Sequence, residues 1–266
     1  MSSQRTLGNN TREQADSLGK LSSGNRINKA ADDAAGLAIS EKLRAKIRGS
    51  AQAERNANDG ISLIQTAEGG LNEIAGIVAR LRELAIQSAS DTIGDDERGF
   101  ANLEFQSLKQ EIERISSVTE FNGKRLLNGE GETYDFQIGI NNNPIEDRIS
   151  YPSGLLNSKL TSLKIDGNSI ESKETARTGI LPLDEAISAI SRQRAQLGAF
   201  QNRLGSTIQN LQISQETQSA ANSRIRDTEF ASETARNAKQ TILTAAGTSV
   251  LSQANNFGSG VMKLLG

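Results

Sequence analysis

The sequence contains no cysteine and no histidine. That removes thiol nucleophiles, Ser-His-Asp triads, imidazole general bases and the usual zinc ligands together. Paired carboxylates, lysine or tyrosine could still carry chemistry, but the commonest catalytic machinery is gone. Tryptophan is also missing, and aromatic residues make up only 3% of the 266, which argues against a large globular core built on aromatic anchors. Neither sign of charge dominates: 30 Lys and Arg stand against 32 Asp and Glu, a formal net charge of −2. The basic face that a nucleic-acid partner requires is therefore not indicated. No apolar run approaches the roughly 20 residues of a membrane-spanning helix, and the mean hydropathy is −0.47, so no membrane insertion is expected. The opening Met1-Ser2-Ser3-Gln4-Arg5 has none of the apolar character of a cleavable signal peptide. Absence of cysteine suits a protein exposed to oxidants.

What the chain does have is one long seam. Steps of three and four residues link Gly36, Ile39, Leu43, Lys46, Ser50, Ala53, Ala57, Gly60, Ile64, Ala67, Leu71, Ile74, Val78, Leu81, Ala85 and Ser88. About seven heptads without a proline predict a single helix docked along other helices, roughly 80 Å long. Small residues fill the first half of the seam, so a partner helix should come closer there. Gly69 and Gly70 mark a point where the helix could bend.

Residues 1–23 carry a thinner seam, Leu7, Thr11, Gln14, Leu18 and Leu21, marginal as a helix on its own. A turn at Ser22-Ser23-Gly24-Asn25 and a connector lead to Asp32 and Asp33, where carboxylates favour a helix N-terminus. After Ser90 the cluster Asp95-Asp96-Glu97 reads as a solvated loop rather than a cation site. A third helix places Phe105, Leu108, Ile112 and Ile115 in phase and closes at Phe121-Asn122-Gly123.

From residue 126 the period changes. Tyr134, Phe136, Ile138 and Ile140 alternate with polar residues, as in a half-buried strand. Asp166-Gly167 lies between Leu163-Lys164-Ile165 and Ile170 as in a hairpin. The chain's three prolines, Pro144, Pro152 and Pro182, fall in this section or at its exit, and Pro182 suits the first turn of a helix. A second long seam follows, through Ile187, Ile190, Arg194, Leu197, Gln201, Leu204, Ile208, Leu211, Gln215, Gln218, Asn222 and Ile225. Its polar members would fix register at some cost in stability.

The final segment spaces Leu243, Val250, Phe257 and Leu264 by heptads and has no charge between Lys239 and Lys263. It is too polar to cross a bilayer and too poorly charged for a solvated helix. Such a segment needs protein on most sides, and within the chain only the thin first helix is on offer. Residues 1–20 and 235–266 are therefore expected to be disordered in an isolated subunit and helical once neighbours cover them.

These features come with recognisable motifs. Leu21-Ser22-Ser23-Gly24-Asn25-Arg26-Ile27-Asn28, followed by Asp32-Asp33-Ala34-Ala35-Gly36-Leu37-Ala38-Ile39, resembles the N-terminal signature of bacterial flagellins. Arg55-Asn56-Ala57-Asn58-Asp59-Gly60-Ile61-Ser62, Arg82-Glu83-Leu84-Ala85-Ile86-Gln87-Ser88 and Glu120-Phe121-Asn122-Gly123 continue the likeness in family order. Ser223-Arg224-Ile225-Arg226-Asp227-Thr228-Glu229-Phe230 and Ala254-Asn255 resemble the C-terminal signature. Met1 aligns inside the family pattern rather than at its usual Asn-Thr-Asn start, and the large outer domains many members insert mid-chain have no counterpart.

The resemblance implies a mainly α, flagellin-like fold: a long antiparallel helical bundle or coiled coil with a small β-rich insert. Its expected parts are an inner-tube helix and connector (1–31), the N-terminal half of the helical core (32–125), the β-rich insert (126–180), the C-terminal half (181–229) and a C-terminal inner-tube helix (230–266). It also implies a non-enzymatic subunit without cofactors that polymerises with itself into an extracellular flagellar filament. Self-assembly would fall to Leu7, Leu18, Leu21, Leu243, Val250, Phe257 and Leu264. Implied partners are a flagellar export chaperone, the filament cap and the Toll-like flagellin receptor of hosts, whose contact surface resembles Arg80, Leu84, Gln87 and Glu104. Position 79 is Ala where the family often has Gln. Other readings are a hook–filament junction protein with the same terminal helices, an enzyme carried in the insert, and a coiled-coil signalling rod.

Overall fold

A computed structural model describes residues 2–265 except 131–132, 153 and 155; the side chains of Ser2, Asn255 and 257–265 also lie outside the described residues. In chain order the elements are α1 (Ser2–Ser23), α2 (Ala34–Ser88), α3 (Asp95–Val118), β1 (Glu120–Phe121), β2 (Lys124–Arg125), β3 (Thr133–Gln137), β4 (Arg148–Pro152), α4 (Lys173–Arg226) and α5 (Phe230–Leu265). They form two compact units, Gly49–Ser214 on one side and Met1–Arg48 with Gln215–Gly266 on the other, so α2 and α4 each contribute to both.

The Gly49–Ser214 unit holds the apolar core. Its stretch of α2 buries Ser50, Ala53, Ala57, Gly60, Ile64, Ala67, Leu71, Ile74, Val78, Leu81, Ala85 and Ser88, every seam position from 50 onward. Three cross-links set the direction of α4: Arg82 to Asp184 at 2.5 Å, Glu68 to Arg194 at 3.9 Å, and Gln212 Nε2 donating to Glu54 Oε1 at 2.8 Å. As the α2 number falls the α4 number rises, so the helices are antiparallel. At Gly60 a Cβ would lie 3.1 Å from Phe136 Cδ1 and 3.2 Å from Leu204 Cδ1, so the seam has no room for a side chain at that position. Helix α3 returns along α2, tied by Arg80 to Glu104 at 3.0 Å. The buried Arg98 guanidinium donates to the carbonyls of Ser88 (2.9 Å) and Ser90 (2.8 Å), satisfying acceptors the end of α2 leaves open.

Helix α2 runs unbroken past Gly69 and Gly70. Gly70 serves a close approach instead: a Cβ there would meet Leu127 Cδ1 at 2.7 Å and Thr119 Oγ1 at 2.8 Å. The segment that approaches contains the β1–β2 hairpin, whose two turn residues, Asn122 (φ 50°) and Gly123 (φ 74°), have the backbone of a tight two-residue turn. β3 and β4 pair antiparallel from Thr133 with Pro152 to Gln137 with Arg148.

Three local expectations need correction. The acidic cluster Asp95-Asp96-Glu97 is not loop; it forms the first turn of α3, where the helix dipole stabilises carboxylates. No hairpin forms at Asp166-Gly167. Leu163, Ile165 and Ile170 are buried as isolated pegs, and α3 supplies the partners a ladder would have given. Lys109 Nζ donates to the carbonyls of Asp166 (2.5 Å) and Asn168 (2.9 Å), and Asn102 Oδ1 accepts from the Ile170 N–H at 3.2 Å. Finally, α4 begins at Lys173, not Pro182, which lies inside the helix. Ser172 and Thr175 cap the start reciprocally: each side-chain oxygen accepts the other's backbone N–H, at 3.2 and 3.1 Å.

Candidate assembly surface

The unit made of Met1–Arg48 and Gln215–Gly266 brings the two ends of the chain together. α1 and α5 pair antiparallel: Leu7 meets Gly247, Gln14 Nε2 donates to Thr241 Oγ1 at 3.0 Å, Gln240 contacts Glu13, and Ser17 Oγ donates to the Glu233 carbonyl at 3.3 Å. The α5 side of this contact is Glu233, Asn237, Gln240, Thr244, Gly247 and Leu251, a largely polar stripe with helical spacing. Glu233 Oε1, Asn237 Nδ2 and Gln240 Oε1 are buried in it without hydrogen-bond partners. Such atoms make an interface weak by itself. Both terminal segments are thus helical and paired here, where disorder is expected of the isolated subunit, and the pairing runs through polar groups.

The apolar heptad set faces elsewhere. Val250 is 59% exposed, and Leu243, Ile242 and Leu18 are exposed as well, while Leu7 and Leu21 are half-buried. The side chains of Phe257 and Leu264 lie outside the described residues. The pair therefore carries an uncovered apolar stripe that its own partner helix does not need.

At the base of the pair the two signature motifs meet. Asn25 and Asp227 form an isolated antiparallel bridge. The Arg26 N–H donates to the Arg226 carbonyl at 2.6 Å, and the Thr228 N–H donates to the Gly24 carbonyl at 2.9 Å. Arg226 reaches on to Ser40 Oγ at 3.3 Å and to the Glu41 carboxylate, whose hydrogen bond with that guanidinium holds its pKa below the ordinary value. Asp33 Oδ1 accepts the Gly36 N–H at 2.8 Å and so caps α2. Asp32 accepts the N–H groups of Lys29 (2.9 Å) and Asn28 (3.0 Å), which lower its pKa. Ile27 is buried in this elbow against Gly36. The placement of the two aspartates at a helix start was legible in the sequence. The Arg226–Glu41 and Asn25–Asp227 contacts were not, because nothing in local spacing joins residues so far apart.

Of the four residues expected at a receptor contact, Arg80 and Glu104 are ion-paired on the surface across α2 and α3, and Gln87 is exposed about two turns further along α2. Leu84 is only 2% exposed and belongs to the core. It supports that face from beneath rather than forming part of it.

Long antiparallel helices, with α1 and α5 paired and an uncovered apolar stripe on that pair, define a mainly helical protein of the long-helix bundle class. Family profiles agree: the bacterial flagellin N-terminal helical region matches residues 1–132, and the bacterial flagellin C-terminal helical region matches 180–265. The flagellin of Halalkalibacterium halodurans is 44% identical over 265 residues, covering 100% of this chain and 96% of that protein. The flagellar filament 33 kDa core protein of Treponema phagedenis is 41% identical over 279 residues, again 100% of this chain and 96% of the relative. The crystal structure of Bacillus cereus flagellin superposes with a TM-score of 0.51 at 30% identity, over 59% of this chain and 88% of that one. The chain belongs to the bacterial flagellin family.

Proposed function

We propose that this chain is the structural subunit of a bacterial flagellar filament, polymerising with copies of itself outside the cell to form the propeller for swimming. The observation that carries this reading is the α1–α5 pair, with its polar mutual face and its exposed Leu243 and Val250. An apolar stripe on α5, which has no charge between Lys239 and Lys263, is satisfied by identical neighbours packed around a common axis, and burial there would drive assembly. Full-length relatives named as flagellin and as flagellar filament core protein support the filament over a hook–filament junction. Among the described residues no helix is long and apolar enough to cross a membrane.

Finer partners follow from the same reading. An export chaperone would cover the α5 stripe before assembly, and a filament cap would position arriving subunits. A host Toll-like receptor would contact the exposed Arg80, Gln87 and Glu104. The deciding experiment is polymerisation of the purified chain, seeded with filament fragments and viewed by negative-stain microscopy. Long tubes are expected; a chain that stays monomeric with seeds present overturns the proposal.

A further inference from the structure

Two Asn-Gly dipeptides, Asn122-Gly123 and Asn128-Gly129, lie in the stretch between α3 and β3. Asparagine before glycine is prone to attack by its own chain, because glycine has no side chain to shield its backbone nitrogen. That nitrogen reaches the asparagine Cγ when the backbone is free to turn and the carboxamide is free to rotate. The fold treats the two dipeptides in opposite ways.

Asn128 is clamped. It is only 6% exposed, its Nδ2 donates to Glu130 Oε2 at 3.2 Å, and its Oδ1 accepts the Glu130 N–H at 3.1 Å. Lys159 Nζ holds Glu130 in turn, at 2.6 Å. The Asn128 backbone is bridged to Asn157, whose side chain crowds Gly129 so closely that a Cβ there would lie 2.5 Å away.

Asn122 has none of this. It and Gly123 are both exposed, and a Cβ on Gly123 would meet nothing within 4 Å. Among the described residues, neither the Asn122 carboxamide nor the Gly123 N–H has a hydrogen-bond partner. The pair is held only by β1 and β2, two residues each, and so short a ladder opens at little cost. Asn122 also sits at φ 50°, a region that a residue with a Cβ leaves readily once the ladder opens.

We propose that Asn122 is a site of spontaneous covalent modification, and that its clamp protects Asn128 from the same reaction. In the open hairpin the Gly123 nitrogen loses its proton and bonds to Asn122 Cγ. The Cγ–Nδ2 bond breaks, and Nδ2 departs as ammonia. Water then opens the cyclic imide. Opening at the side-chain carbonyl gives aspartate; opening at the main-chain carbonyl gives isoaspartate, whose backbone runs through the side-chain methylene. The balance is one water consumed and one ammonia released, with no oxidant or reductant. The two products differ in consequence. Asp-Gly suits the same two-residue turn, so the aspartate form keeps the hairpin. Isoaspartate lengthens the turn and disturbs the pairing of Phe121 with Lys124. The Leu126 N–H, which donates to the Thr119 carbonyl at 3.0 Å just beyond that pair, then loses its partner. The mark accumulates with the age of the chain.

The test is peptide mapping by mass spectrometry of the purified full chain, incubated at mildly alkaline pH. Isoaspartate is labelled with an isoaspartyl carboxyl methyltransferase and its methyl donor. In the folded chain, conversion at position 122 should outrun that at 128 by about tenfold or more; in urea the two should convert at similar rates. Equal rates in the folded chain overturn the proposal. A gap that persists in urea also overturns it, since local sequence and not the fold would then set the difference. Hydrogen exchange at the Leu126 amide separates the products. Asn122→Asp should keep the parent's protection, and aged chains carrying isoaspartate should lose it. Parent-like protection in those chains overturns the proposed rupture of the hairpin.

Discussion

The backbone N–H of Arg26 donates to the carbonyl of Arg226 at 2.6 Å, across 200 residues of sequence. The two residues sit in the two segments that resemble the family's N- and C-terminal signatures, so the two motifs meet in one joint. Around it the Arg226 guanidinium is shared between Glu41 and Ser40.

Acid should loosen that joint. Glu41 has a folded pKa below its ordinary 4.5 because Arg226 hydrogen-bonds the carboxylate. A depressed carboxylate contributes stability that is complete above its unfolded pKa and is lost as pH falls through the folded one. The Arg226–Glu41 contribution should thus be present at neutral pH and disappear below about pH 4.5, and Glu41→Gln should flatten that acid limb. Amide exchange of residues 34–41 between pH 3 and 7 measures it; identical pH profiles for parent and variant would remove the pair from the joint.

Glycines on one helix should respond with opposite signs. A Cβ on Gly76 meets nothing within 4 Å, whereas one on Gly70 collides with Leu127 and Thr119. Gly76→Ala should stabilise by about 0.5–1 kcal/mol through helix propensity. Gly70→Ala gains the same propensity but must displace the β1–β2 segment, an overpacking penalty of about 1–3 kcal/mol, and should melt lower. Thermal unfolding followed by circular dichroism decides, and equal shifts would show that the close approach at Gly70 is absent.

Tyr151 is buried, edge-on to Phe200 at 4.8 Å, with a hydroxyl that has no hydrogen-bond partner and a phenol pKa pushed upward by burial. Tyr151→Phe should therefore be neutral or stabilising by up to about 1 kcal/mol. A loss exceeding that in urea titration would mean the hydroxyl is bonded in solution.

Receptor experiments need Arg80 and Leu84 separated. Arg80→Ala should leave the fold intact and reduce the response of a receptor reporter line, because the side chain is on the surface. Leu84→Ala hollows the core and should cost about 2–5 kcal/mol, so any loss of signal must be compared with its unfolding curve. An undiminished response to Arg80→Ala takes this face out of the receptor site.

Removing 241–266 should abolish polymerisation while leaving the main thermal transition in place, because the core cluster lies wholly outside that segment. In intact unassembled subunits, amides of 241–254 should exchange far faster than those of 64–81 and become protected in filaments. Strong protection before assembly would mean that the polar α1–α5 face suffices by itself.

Long-period pattern made most of the fold legible. The seam through Ile64, Leu71, Val78 and Ala85 is buried as spaced, and so is Leu197–Leu204 on the opposing helix. Pattern failed where side chains replace regular backbone pairing. Lys109 and Asn102 hold the 166–170 segment from α3, and no local period announces hydrogen bonds between residues 57 and 68 positions apart. Pro182 does not mark the start of α4 for a related reason: the Ser172–Thr175 cap starts the helix earlier, and burial of Ala176 and Gly179 keeps it. On α5 the heptad positions Leu243 and Val250 are exposed, and the interleaved polar stripe that meets α1 has the same spacing, so periodicity alone does not tell which of the two faces the partner helix.

The bridge between Asn128 and Asn157, with the Ser158 N–H donating to the Leu127 carbonyl at 2.9 Å, acts as a clasp around everything between them. The clasp fixes where the chain leaves and re-enters, and Ile138, Ile149 and Tyr151 anchor the enclosed stretch to the core, so length added at its exposed tip around Asn142 is what leaves the helices undisturbed. Doubling a closed loop adds only about 0.6 kcal/mol of entropy. Foreign peptides or whole folded modules could accordingly be displayed there, one per subunit, on a scaffold that does not register their size.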